Sequence, residues 1–174
     1  TTIMKLIGKG AFTKCYLKDC GKRVLLVSSD PIKECMALGW FPETPLFPEV
    51  KLIEVGTYEI DYMPPTRGLK AHLDDDQWHL YQVLRDCFSR SPVFSRPADL
   101  YHKWYEIFQA AHDRAETETV REGLMDVLMA LDACANFGSD SQFEISPRKV
   151  RAVDGKLILV DCFFLVSKLQ EVRS

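Results

Sequence analysis

The chain has no long apolar run, no basic block and no paired-cysteine motif, and each of these gaps closes off a class of function. Nowhere in its 174 residues does an apolar stretch approach the ~20 residues a membrane-spanning helix needs. The opening Thr1-Thr2-Ile3-Met4-Lys5 lacks the basic-then-apolar pattern of a secretory leader, and reads as a short native start from which the initiator Met was removed. Lysine and arginine are scattered, apart from Arg148, Lys149 and Arg151, and the formal net charge is −3. Nucleic acid and anionic membrane both call for a basic face, so neither is indicated as a partner. Cys15, Cys20, Cys35, Cys87, Cys134 and Cys162 form no Cys-x-x-Cys pair and no cysteine–histidine cluster at zinc-ligand spacing. Buried free thiols in a reducing cytoplasm are the expectation. There is no internal repeat and no low-complexity tract.

What is present is ordinary globular material, 47% hydrophobic and 27% charged, enough for one domain or two small lobes around a cleft. Residues 1–66 read as a β-rich half. Alternation and turn residues predict strands over 4–8, 12–17, 23–27, 50–55 and 57–62. One short helix, 32–38, is inserted after Asp30 as N-cap and Pro31 as first helical residue. Met63-Pro64-Pro65 ends the sheet, because proline cannot donate to a ladder. Residues 67–174 read as helical, with helices predicted from Asp74 to about Phe88, from Pro97 to about His112 and from Thr117 to Phe137. In the last of these, Val120, Leu124, Val127, Leu128, Leu131 and Cys134 form one buried stripe. Strands over 143–153 and 156–160, joined at Asp154-Gly155, complete an α+β order.

Four segments carry residues suited to chemistry. Gly8-Lys9-Gly10 lies at a hairpin tip, where glycines let backbone N–H groups approach a phosphate; an ordinary glycine-rich hairpin has the same pattern. Asp161 ends the apolar strand Ile158-Leu159-Val160, well placed to hold a divalent ion or to cap a following helical turn. Phe143-Glu144-Ile145-Ser146-Pro147-Arg148-Lys149-Val150 connects the long helix to that strand, and Glu144 and Lys149 read either as site residues or as solvated loop charges. Met63-Pro64-Pro65 reads as a linker or as a backbone edge for a planar base. Trp78, Tyr81, Trp104, Tyr105 and Phe108 read as core.

Taken in order, these parts resemble the protein-kinase-like family, most closely the early serine/threonine kinases of T7-like bacteriophages. The resemblance spans about residues 3–166 and rests on Gly8–Tyr16, Phe47-Pro48-Glu49-Val50, Tyr58–Pro65, Phe143–Val150 and Asp161. It implies a two-lobe fold, a small antiparallel sheet lobe with one helix above a minimal helical lobe carrying a β-hairpin. It implies ATP as ligand at Gly8, Gly10 and Asp161, Mg²⁺ on Asp161, and a cytoplasmic place in an infected bacterium. It also implies a host protein of the transcription or RNA-processing machinery as partner.

Departures from the pattern point to a pseudokinase. Leu26 stands where the phosphate-gripping lysine belongs, with Lys22 and Arg23 out of phase, and Glu34 is left as the helix carboxylate without its lysine. Glu144 replaces the catalytic Asp and Lys149 the metal-binding Asn. Only eleven residues follow Phe163, too few for an activation segment, so a fold completed by a partner chain is a further reading. The expectation is a protein that binds and modulates a host macromolecule, with Arg148, Lys149 and Arg151 meeting an acidic partner. The alternative is an atypical nucleotide- and Mg²⁺-dependent transferase using Glu144 and Asp161.

Overall fold

The computed structural model describes residues 4–173. Its first part is an antiparallel five-stranded sheet in the order β1-β2-β3-β5-β4, from β1 (Lys5–Lys9), β2 (Thr13–Leu17), β3 (Arg23–Ser28), β4 (Lys51–Glu54) and β5 (Thr57–Asp61). Cys15 lies opposite Leu26, and Leu26 opposite Tyr58; Leu17, Val24 and Ile60 form the next such row. Period-two pleating therefore puts these six side chains on one face, and Val24, Leu26, Tyr58 and Ile60 are buried there. Helix α1 (Pro31–Ala37) follows β3, with the Asp30 carboxylate accepting from the Ile32 N–H at 2.9 Å and Pro31 in the first turn, as the sequence predicts.

The second part holds α2 (Leu69–His72), α3 (Asp75–Ser89), α4 (Leu100–Arg114) and α5 (Glu118–Cys134). The predicted apolar stripe of α5 is buried throughout. Trp104 and Phe108 of α4 are fully enclosed and meet Phe143 edge-on, while Tyr105 is partly exposed. Three features differ from expectation. The linker after the sheet contains α2, and a 3₁₀ turn, Pro97–Asp99, precedes α4. The single strand predicted over 143–153 is three pieces: β6 (Ser141–Phe143), a 3₁₀ turn at Pro147–Lys149, and β7 (Val150–Val153). Pro147 has no N–H for a ladder and holds Ser146 extended, so one strand cannot run through. Beyond the hairpin of β7 and β8 (Lys156–Leu159), β9 (Phe163–Leu165) returns to pair with β6, and α6 (Val166–Arg173) follows.

One continuous core joins the parts, running from the sheet through α1 to α5 and the C-terminal strands. Backbone and side-chain bonds cross the seam. Leu159 N–H donates to the Leu46 carbonyl at 2.7 Å, and Arg151 Nε donates to the Met63 carbonyl at 2.8 Å.

Candidate functional site

A cleft of about 280 Å³ opens beneath the inner face of the sheet, above the loop before β7 and the end of β8. Gly8 and Gly10 line its mouth, Leu26 and Ile60 its roof, and Val160 and Asp161 its floor. A side chain added at Gly10 would meet nothing within 4 Å, and one at Gly8 only Cys15 at 3.8 Å. Packing does not demand glycine at either position, whereas a ligand approaching the backbone would.

Four charged side chains alternate from the floor outward: Lys33 and Asp161 line the cleft, and Lys149 and Glu144 lie beside them. Lys33 Nζ lies 3.9 Å from Asp161 Oδ1; Lys149 Nζ lies 3.7 Å from Asp161 Oδ2 and 3.8 Å from Glu144 Oε2. Each is placed by its backbone. Glu144 N–H donates to the Cys162 carbonyl at 2.9 Å, tying the loop to the strand end. The Lys149 carbonyl accepts from Val160 N–H at 2.9 Å and Asp161 N–H at 3.3 Å, so Lys149 and Asp161 are locked side by side. Strand β9, not a helix, follows Asp161, which removes the capping role, and its carboxylate faces the cleft.

Lys33 is the residue that sequence reasoning missed. Leu26 is buried in the sheet where a lysine was expected, Lys22 is exposed, and Arg23 turns to the outer face to pair with Asp61 and Glu59. Glu34 is exposed on α1, away from the cleft. Its neighbour Lys33 is instead only 7% exposed, lines the cleft and donates to the Val160 carbonyl at 3.1 Å. A readable signal was present: Lys33 shares the buried helix face with Met36, one turn on, and a cation in a first turn opposes the helix dipole.

The basic triplet does not form one outward patch. Arg148 is exposed at the cleft edge; Lys149 is held by the two carboxylates; Arg151 turns inward, donating to the Met63, Arg148 and Val150 carbonyls. On the opposite rim, Asp61, Tyr62 and Met63 line the cleft. Tyr62 N–H donates to the Lys22 carbonyl of the neighbouring strand. By pleat, the Asp61 carbonyl and Met63 N–H turn the other way, beyond the first residue of β4, Lys51, as an acceptor and a donor on one edge.

Mg²⁺ prefers six oxygens in near-octahedral array. The floor offers the Asp161 carboxylate, with an ammonium group against each oxygen, and Glu144 lies beside it, engaged by Lys149. Among the described residues no group of three His, Cys, Asp or Glu side chains is placed to hold a metal. The residues present do not fit the ion. Half-buried Cys15 also faces this cleft; burial pushes its thiol up, with Lys33 pulling the other way.

No family model and no curated protein matches the chain. Among solved structures, the ternary complex of APH(2")-IIa with streptomycin and ATP is similar at 12% identity and a TM-score of 0.42, over 94% of this chain and 67% of that one. No helix of the described residues is long and apolar enough to cross a membrane.

Proposed function

We infer that the chain is a kinase-like protein that binds a nucleotide in the cleft beneath the sheet without transferring its phosphoryl group. The observation that carries this reading is the placement of Glu144. A phosphoryl acceptor needs a free carboxylate beside it to take its proton, and placement errors near 1 Å cost about 10²-fold. Glu144 is instead paired with Lys149, which stands between it and Asp161. The nucleotide part of the reading rests on the open glycine hairpin over the cleft, on Lys33 as a phosphate-facing cation, and on the Asp61–Met63 edge, whose acceptor and donor match the rim of an aminopurine.

The resemblance to phage kinases extends the reading to infection: the protein would modulate a host bacterial macromolecule by binding, with the transcription or RNA-processing machinery as target class. Purified chain immobilised against host lysate should retain a component of that machinery, and its recovery with none would remove this part. A second reading, residual transferase activity, is favoured by one observation, the pairing of Lys33 with Asp161. Incubation with γ-labelled ATP and Mg²⁺ decides between them. No label should reach the chain or an added protein acceptor. Transfer that disappears in Asp161→Ala would establish the enzyme instead.

A further inference from the structure

We propose that the cleft holds the phosphate chain of its nucleotide without a divalent metal, with the ammonium groups of Lys33 and Lys149 standing where cations would otherwise be recruited. This rests on the nucleotide reading above and adds to it how the ligand's charge is neutralised. Lys33 comes from α1 and Lys149 from the turn before β7, so the two approach from different walls. They reach opposite oxygens of one carboxylate, Asp161, at 3.9 and 3.7 Å. A divalent ion seeking that carboxylate would enter between two like charges, each within 4 Å of it. An anion meets the reverse situation.

Lys33, Arg148 and Arg151 line the cleft with Asp161 and Asp61, the Asp61 carboxylate being taken by Arg23 on the outer face, while Lys149 and Glu144 pair beside the floor. The lining is thus net positive, with the buried Asp30 carboxylate near Lys33. Lys33 uses one N–H on the Val160 carbonyl, and its ammonium has three, so donors remain for phosphate oxygens. Lysine cannot ligate a metal; it can only replace one. The same pairing that removes Glu144 from acid–base work therefore supplies the charge that a metal would bring.

Titration calorimetry of the full chain tests this, with ATP in EDTA, ATP in excess MgCl₂, and adenosine as the arm without phosphates. ATP should bind in EDTA at least as tightly as with Mg²⁺, and adenosine about ten- to hundredfold more weakly, the scale of one or two charged hydrogen bonds. Lys149→Asn, which removes one ammonium and adds an oxygen ligand beside Asp161, should lose about tenfold in EDTA and regain affinity with Mg²⁺. Lys33→Met should lose about tenfold in both buffers. Unchanged circular dichroism, with melting well above the titration temperature, would show that both variants remain folded. ATP binding only with Mg²⁺, or unaltered metal-free affinity in both variants, overturns the inference while leaving the nucleotide reading intact. Failure of ATP and adenosine to bind in either buffer overturns the nucleotide reading itself, and this inference with it.

Discussion

Lys33 occupies a place that folding alone would not choose for a lysine. It is 7% exposed, sits in the first turn of a helix where the dipole favours anions, and spends its ammonium on one carbonyl and one carboxylate. Removing one member of a buried pair costs stability because the other charge is left unpaired, and the Asp30 carboxylate is buried near Lys33. Lys33→Met should therefore melt below the wild-type temperature by calorimetry, and adding Asp30→Asn should recover part of the loss; no recovery in the double variant would mean that the two charges are not coupled. The cysteines divide in the same residue-by-residue way. Cys20 is exposed at a hairpin turn, where backbone N–H groups beginning with that of Lys22 lower its thiol pKa. Burial raises those of Cys15, Cys35, Cys87, Cys134 and Cys162, to about 12 for Cys35 and Cys162. A lower pKa means more thiolate at a given pH, and thiolate is the reactive form. Iodoacetamide at neutral pH should label Cys20 first, as read by peptide mass spectrometry, with Cys15 next and the buried four protected until unfolding.

At the scale of elements, α1 carries Lys33 to the cleft and depends on its cap. Asp30→Ala should cost about 1 kcal/mol in urea unfolding, the usual price of a lost N-cap. Asp30 is itself buried, and burial raises its pKa above the ordinary carboxylate value, with Lys33 opposing. The folded chain then binds a proton more readily than the unfolded one, so the group's contribution to stability declines as pH rises through the folded value. Asn caps a helix as well as Asp and does not ionise. Asp30→Asn should match or exceed wild-type stability at neutral pH, and the difference should shrink as the pH is lowered toward the unfolded carboxylate range. The β7–β8 hairpin has a second such dependence. Gly155 has φ +78°, a Cβ there would strike the Asp74 carboxylate at the start of α3, and its carbonyl accepts from Asp74 N–H at 2.9 Å. Gly155→Ala should cost about 1–3 kcal/mol by the same measurement.

Over the whole molecule, the sheet and the helical part share a core and are stitched across the cleft by Leu159 to Leu46, Arg151 to Met63 and Lys33 to Val160. A single shared core favours cooperative unfolding. Far-ultraviolet circular dichroism, which reports both parts, and fluorescence of Trp40, Trp78 and Trp104, all of which lie outside the sheet, should give coincident urea transitions. Two separated transitions would show that the sheet folds as an independent unit.

The strands from Lys5 to Asp61, the cap of α1 and the stripe of α5 were legible in the chain because alternation, proline, glycine and a three-to-four repeat are local signals. Gly8, Gly10 and Asp161 were legible as cleft residues for the same reason: a hairpin tip and a strand end can be read from their immediate neighbours. The three-residue strands Ser141–Phe143 and Phe163–Leu165 were not, since so short a run carries no period and forms only when its partner arrives. Lys33, Glu144 and Lys149 took their meaning from tertiary structure. An ammonium group from a helix in the first half meets a carboxylate more than a hundred residues later, and no local pattern in the chain announces that pairing.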